Sequence, residues 1–136
     1  MEPTNPQRLE DFPVHLGPGS AARELPRFEG TPAWYQAYEA STEGDPDGGW
    51  LVSWHHFDAS WEAWEMHPLG HEVVLCVAGQ LELIQEVDGI EVSTTLVAGE
   101  RVLNLPGIWH TANLAAGQTA TCVFVTAGRA TQGRPR

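Results

Sequence analysis

The sequence has few basic residues. It carries seven Lys plus Arg against eighteen Asp plus Glu in 136 residues, which gives a formal net charge of −11. A negative field of this kind repels the phosphates of nucleic acids and anionic lipid surfaces. It does not exclude a small acidic substrate, because a metal ion inside a pocket sets the local potential there. We therefore expect a small-molecule ligand and neither a nucleic acid nor a membrane as partner.

The sequence also lacks long apolar runs. No window approaches the length needed to span a membrane. The first fifteen residues carry three acidic side chains and no apolar stretch, so we expect no signal peptide and a cytoplasmic location. The chain length fits one domain with a real hydrophobic core.

Cysteine is scarce, since only Cys76 and Cys122 are present. Both lie in apolar segments that resemble strands, so we expect two buried core thiols. A disulfide between them would require that the two strands be neighbours, and the sequence leaves this open.

The first third of the chain contrasts with the rest. Residues 1–30 are rich in proline, glycine and charge without a sustained period, which predicts an arm that packs over the domain or is partly disordered. Thr31 and Pro32, before residues 33–38, predict a short helix capped by Thr31. Residues 1–48 are thus predicted to form an N-terminal arm and a short helix packed on a barrel.

From Trp50 onward, short strand patterns alternate with turn residues, which indicates an all-β barrel or sandwich. The barrel is expected over residues 49–128, with a flexible tail at 129–136. The predicted strands are 50–57, 61–67, 72–77, 80–87, 90–97, 101–105, 108–113 and 119–127.

The clearest predicted hairpin has Asp88-Gly89 as a two-residue turn. This turn sets the register and places mostly apolar side chains on one face of the hairpin. The pairs expected on that face are Val87 with Ile90, Gln85 with Val92, Leu83 with Thr94 and Leu81 with Leu96. The opposite face, which carries Glu82, Ile84, Glu86, Glu91 and Ser93, is expected to be solvated.

Four side chains have the chemistry of a metal site. Glu65 and His67 are two apart on a predicted strand and share a face, and Glu72 begins the next strand. His110 follows a second glycine-containing segment. Two imidazoles and two carboxylates are a set that a divalent metal ion can use.

The spacing of these residues resembles the cupin superfamily. The first cupin motif, H-x-H-x(3,4)-E-x6-G, is matched by Glu65, His67, Glu72 and Gly79, with Glu65 in place of the first histidine. The second, G-x5-P-x-G-x2-H-x3-N, is matched by Gly99, Leu105, Gly107 and His110. Leu105 stands at the proline position, with Pro106 one step later, and Asn113 lies one residue before the expected asparagine. The resemblance covers about residues 50–127.

The resemblance implies a fold, a cofactor and an assembly. The fold would be a double-stranded β-helix, the cupin jelly-roll barrel, and the assembly a homodimer built by sheet packing. One divalent metal ion (Fe, Mn, Ni or Zn) would be held by His67, Glu72 and His110. Glu65 would be a fourth ligand or would hydrogen-bond to a ligand imidazole.

The resemblance leaves the function open, because cupins include dioxygenases, isomerases, decarboxylases and binding proteins. The leading hypothesis is a metal-dependent enzyme, an oxidoreductase or isomerase, that acts on a small organic molecule. Its metal would serve as a Lewis acid or an O₂-binding centre. The alternative is a non-catalytic domain that binds or senses a small molecule.

Further side chains were assigned to a pocket or to an interface. Pocket candidates are His56, Cys76 and Trp109. His55 and His56 are adjacent, so only one can face the interior, as a pocket acid or base or as a packed polar side chain. His71 is expected to face away from the site. Tryptophans are dense for a small domain, and the ones assigned to a dimer contact are Trp50, Trp54, Trp61 and Trp64.

Overall fold

The computed structural model describes residues 4–136, so the first three residues of the predicted arm lie outside it. The described chain has one α-helix, α1 (Pro32–Ser41), and ten strands. The strands are β1 (Val14–Leu16), β2 (Ala22–Glu24), β3 (Trp50–Phe57), β4 (Ala63–Met66), β5 (Glu72–Val87), β6 (Ile90–Val97), β7 (Arg101–Asn104), β8 (His110–Asn113), β9 (Ala120–Thr126) and β10 (Gln132–Pro135).

Strand β5 connects two antiparallel layers. Its first half pairs with β7 and β9, and its second half pairs with β6 and β8. The predicted strands 72–77 and 80–87 are thus one long strand, interrupted by a bulge between Cys76 and Ala78. One layer continues from β9 to β3, β1 and β2, and the other from β8 to β4 and β10.

The core lies between the two layers. Its fully buried members include Cys76 and Cys122, which face each other across β5 and β9 as free thiols. The prediction of two buried core thiols is confirmed. The two strands are neighbours, which a disulfide would require, but the cysteines are not joined. The other core residues are Val74, Leu81, Leu96, Ala112, Ala120 and Phe124.

The predicted β5–β6 hairpin has the expected register, from Gln80 opposite Val97 to Val87 opposite Ile90. Asp88 and Gly89 both have positive φ, as a primed turn requires. The predicted division into buried and solvated faces was partly wrong, because Ile90 is 67% exposed and Ile84 only 7% exposed. Strand β8 pairs with β5 only as far as Gln85, so the tip of the hairpin extends beyond the barrel.

The N-terminal arm contributes two strands that the sequence pattern did not predict. β1 pairs with β3 and extends that layer. Helix α1 begins as predicted, with the Thr31 side chain accepting a hydrogen bond from the Trp34 backbone N–H at 3.2 Å. His15 fastens the arm to the helix, because its ring nitrogens lie 2.8 Å from the Tyr38 hydroxyl and 2.5 Å from a carboxylate oxygen of Asp45. Within residues 4–136, no helix is long and apolar enough to span a membrane.

The C-terminal segment 129–136, predicted to be a flexible tail, instead contributes strand β10, which pairs with β4. The Arg134 guanidinium lies 5.1 Å above the Trp64 ring and 4.5 Å above the Trp109 ring. It also forms an ion pair with Glu86 at 2.5 Å. The prediction was wrong because a tail rich in Gly, Arg and Gln has no strand pattern of its own, and its order comes from contacts with distant residues.

We expect Arg134→Ala to lower the free energy of unfolding by about 1–2 kcal/mol, because it removes two cation–π contacts and an ion pair. Urea denaturation measures the change. The control is Arg101→Ala, which removes an arginine that is exposed on β7. Equal effects of the two substitutions would show that β10 contributes little to holding the barrel together.

The tryptophans assigned to an interface have different surroundings. Trp64 is 7% exposed and is covered by Arg134 of the same chain, whereas Trp50 is 37% exposed. Trp61 packs against the core. The predicted homodimer stays a prediction, with Trp50 as the most accessible of the four rings.

Candidate metal centre

The metal-site residues predicted from the sequence come from three neighbouring strands. Glu65 lies on β4, His67 directly follows that strand, Glu72 is the first residue of β5 and His110 the first residue of β8. Glu65 and His110 are paired across β4 and β8. Because strand residues two apart share a face, Glu65 and His67 point to the same side as the start of β8.

Three of these side chains form a group whose geometry suits a metal ion. One ligand atom from each of Glu65, His67 and His110 lies within 4.8 Å of the others. The two imidazole rings are 5.2 Å apart between centroids. Glu72 lies beside them, with one carboxylate oxygen 3.1 Å from Nε2 of His67 and the other 3.2 Å from Nε2 of His110.

The two Nε2 atoms are buried and make no regular hydrogen bond to the described residues, although they lie 3.1 and 3.2 Å from the carboxylate oxygens of Glu72. His110 Nδ1 donates its proton to the Ile108 carbonyl at 3.2 Å, which leaves Nε2 as the free ring nitrogen. His67 Nδ1 contacts the Thr131 hydroxyl at 2.9 Å. Both Nε2 atoms therefore lie directly beside the Glu72 carboxylate, at distances that neighbouring ligands of one metal ion can have.

Glu72 is 3% exposed and is held by its cross-strand partners. Its oxygens accept hydrogen bonds from the Asn104 amide at 3.0 Å and the Thr126 hydroxyl at 2.7 Å. The Asn104 amide oxygen in turn accepts from Gln85 at 2.7 Å. Burial alone would raise the pKa of Glu72, but the imidazoles of His110 and His67 lower it well below its usual range. Glu72 is therefore a fixed anion at the site.

The negative charge of Glu72 raises the pKa of both His110 and Glu65. Burial alone would lower the pKa of His110, but the Glu72 carboxylate outweighs it and raises this pKa above its ordinary value. The pKa of Glu65 is raised, first by desolvation and then by the negative charge of Glu72. Glu65 is surrounded by protein, yet its side chain remains accessible to solvent. It therefore marks the open side of the site.

The structure places the pocket candidates elsewhere in the barrel. His56 is exposed and its Nδ1 contacts the Thr121 hydroxyl at 2.8 Å, so its neighbour His55 is the inward-facing residue of the pair. Cys76 belongs to the core, and Trp109 packs under Arg134. His71 is exposed, as predicted.

An aromatic wall adjoins the metal-site residues, and we define it as Phe28, His55, Phe57, Trp61 and Phe124. Its ring centroids lie 5.3–6.2 Å apart along neighbouring pairs, and the Trp61 ring is 6.3 Å from the His110 ring. Of these residues, sequence reasoning considered only His55 for the site, as one of two alternatives with His56. The period of β3 places His55 and Phe57 on one face, but only the fold shows that this face looks toward His110.

Comparison with known proteins identifies the fold. No protein-family profile matches the chain, and no curated protein is significantly similar to it. Among solved structures, a Klebsiella pneumoniae protein with a double-stranded β-helix domain is 23% identical, with a TM-score of 0.53, over 64% of this chain and 76% of that chain. The chain has the cupin fold. A cupin-2 domain protein from Shewanella frigidimarina is also similar, at 20% identity and a TM-score of 0.47, over 67% of this chain and 72% of that chain.

The donor set of this cupin barrel fits a divalent metal ion. Two imidazole nitrogens and the carboxylates of two acidic residues are all acceptors, and crowding acceptors in a buried space is costly unless a cation lies among them. Hydrogen bonds within residues 4–136 do not account for the buried Nε2 atoms of His67 and His110. A metal ion bound to both atoms would account for them. Glu65 keeps one side of the group accessible to solvent, as a site that admits a small molecule requires.

Proposed function

We propose that this cupin binds one divalent metal ion through His67, Glu72, His110 and Glu65, and that it acts on a small organic molecule at that ion. The observation that carries the proposal is the pair of buried Nε2 atoms, which have no hydrogen-bond partner among the described residues and face the same carboxylate. Buried polar atoms without partners are rare in folded proteins and call for an explanation.

Each side chain has a distinct role in this proposal. The Ile108 carbonyl keeps the proton of His110 on Nδ1, so that Nε2 is available as a neutral ligand. Asn104 and Thr126 fix the plane of the Glu72 carboxylate, which is thereby preorganised. Glu65 and Glu72 together balance the charge of a divalent ion. When bound, the ion would supply Lewis-acid or O₂-binding chemistry, and this ligand set suits Fe, Mn, Ni or Zn.

The surroundings support a small-molecule ligand. The aromatic wall places mostly apolar ring surface beside the site, while Glu65 leaves another side accessible. Sites for small molecules have this composition, with mostly apolar and aromatic surfaces and a few fixed polar groups. The net charge of −11 also disfavours nucleic acids and anionic surfaces as partners.

Calorimetric titration of the metal-free protein with Mn²⁺, Ni²⁺ and Zn²⁺ tests the proposal. We expect one site per chain, and we expect Glu72→Gln to weaken binding by about 10–100-fold. Glu65→Gln should be milder, because Glu65 lies at the accessible side and its carboxylate accepts no hydrogen bond from the part of the chain that the structure describes, whereas Glu72 is buried and held by Asn104 and Thr126. The control is Glu62→Gln, which neutralises an exposed carboxylate just before β4.

Two results would count against this assignment. If wild type and Glu72→Gln bind each metal equally, Glu72 is not a ligand. If Glu65→Gln is the more damaging substitution, the roles of the two carboxylates are the reverse of those proposed, and Glu65 is the main anionic ligand.

A further inference from the structure

His55 is a polar side chain in the aromatic wall, and within residues 4–136 it has no hydrogen-bond partner. It shares the inward face of β3 with Leu51 and Ser53, which are 6% and 5% exposed. Its ring packs against Phe28 at 5.3 Å and Phe124 at 5.5 Å between centroids. Burial lowers the pKa of His55, and no hydrogen bond to residues 4–136 contributes to its environment. The charges of Glu10 and Glu72 oppose this effect in part. The His55 ring thus brings a hydrogen-bonding group into largely aromatic surroundings.

The aromatic wall leads from His55 directly to the metal-site residues. His55 contacts Phe124, Phe124 contacts Trp61 at 6.1 Å, and Trp61 lies 6.3 Å from His110. Phe57 adds a ring 5.5 Å from Trp61. A molecule whose one end is held at the metal would therefore contact the rings of Trp61 and Phe124, and its far end would lie near His55.

Several members of the aromatic wall keep some contact with solvent. His55, Phe57 and Trp61 are only partly buried although they face the interior, and Glu65 is exposed. Tyr35 of α1 lies beside the aromatic wall, since its ring centroid is 5.8 Å from that of Phe28. Burial, with smaller contributions from the charges of Glu65 and Glu72, raises the pKa of Tyr35 to about 12.

We propose that the ligand is a small planar aromatic compound with an oxygen donor group at one end and a hydroxyl at the other. The oxygen donor group points to the metal-site residues, the ring packs on the aromatic wall, and the hydroxyl hydrogen-bonds to His55. Stacked and edge-to-face rings attract one another beyond the area that they bury. This inference rests on the proposed metal site, because the metal holds the donor end.

The first experiment measures how the metal-loaded protein binds six carboxylates by calorimetry, with metal content determined on the same sample. Acetate supplies the donor group alone, cyclohexanecarboxylate adds a non-planar apolar body and benzoate adds a planar ring. The three hydroxybenzoates, tested as a set, add the hydroxyl. We expect benzoate to bind about five-fold more tightly than cyclohexanecarboxylate, as ring–ring attraction predicts. At least one hydroxybenzoate should gain about another five-fold, the effect of one hydrogen bond.

The second experiment assigns the hydroxyl contact to His55. In His55→Phe the wall keeps a ring but loses its hydrogen-bonding group, so benzoate should bind as in wild type and the gain from the hydroxyl should disappear. The matched control is His56→Phe, which changes the exposed neighbour and should preserve the gain. His55→Phe could also bind all ligands poorly because the larger ring packs badly. In that case His55→Gln, which keeps a donor and an acceptor, should still bind a hydroxybenzoate more tightly than benzoate.

The possible outcomes separate this inference from the proposed function. If the protein binds the metal but acetate, cyclohexanecarboxylate and benzoate bind equally, the aromatic ligand is excluded and the metal site stands. If the hydroxyl gain is the same in wild type and His55→Phe, His55 does not contact the ligand. If no metal is bound, the proposed function itself fails.

Discussion

Alanine in place of His110 should remove most of the bound metal while the barrel stays folded. The substitution deletes a fully buried imidazole whose Nε2 faces Glu72 at 3.2 Å. We expect the metal affinity to fall by about 100-fold, and His67→Ala to behave in the same way. The core between the two layers, rather than the metal, is expected to hold a domain of this size together. Elemental mass spectrometry gives the metal content, and circular dichroism the fold.

His71→Ala is the matched control for the two histidine variants, because His71 is exposed and directly precedes Glu72. It should retain the metal content of wild type. Equal metal occupancy in wild type, His67→Ala and His110→Ala would remove both histidines from the ligand set. Loss of the fold together with the metal would show instead that the site is structural.

Gly79→Ala should cause the largest loss of stability of any substitution considered for this chain. Gly79 has φ +75° at the bulge of β5, and an alanine Cβ there would lie 1.9 Å from the Thr119 carbonyl oxygen. The backbone of β9 would have to move, and the free energy of unfolding should fall by more than about 3 kcal/mol. Urea denaturation measures the loss directly.

Gly117→Ala separates the clash from the backbone strain. Gly117 has φ +77°, close to that of Gly79, but no atom of the described residues lies within 4 Å of the position that its Cβ would occupy. The free energy of unfolding of Gly117→Ala should therefore fall only by the cost of placing alanine in the left-handed conformation, about 1–2 kcal/mol. If the two variants are equally stable, the close approach of β5 and β9 at Gly79 does not constrain the fold.

The sequence predicted those parts of the fold that depend on local patterns. The cap at Thr31, the turn at Asp88-Gly89 and the register of the hairpin all follow from residues close to one another in the chain, and the structure confirms them. The grouping of Glu65, His67 and His110 was also predicted. It follows from the spacing of the two cupin motifs, which indicates which strand ends lie together in the barrel. The role of these residues as ligands stays a proposal.

The residues that the sequence did not predict depend on contacts between distant segments. Asn104 and Thr126 are the cross-strand partners of Glu72, and their role depends on a pairing that no single segment shows. Thr131 contacts His67 from a tail without a strand pattern. His55 was not distinguished from His56, because alternation shows that the two residues face opposite sides but not which of them faces inward.

The measurement that tests the metal site most directly is elemental analysis of the wild-type protein purified without an affinity tag or a chelator. The proposal predicts close to one equivalent of a single divalent transition metal per chain, lost on dialysis against a chelator and restored by adding that metal. A protein that carries no metal after purification, and takes up none when Mn²⁺, Fe²⁺, Ni²⁺ or Zn²⁺ is added, would contradict it.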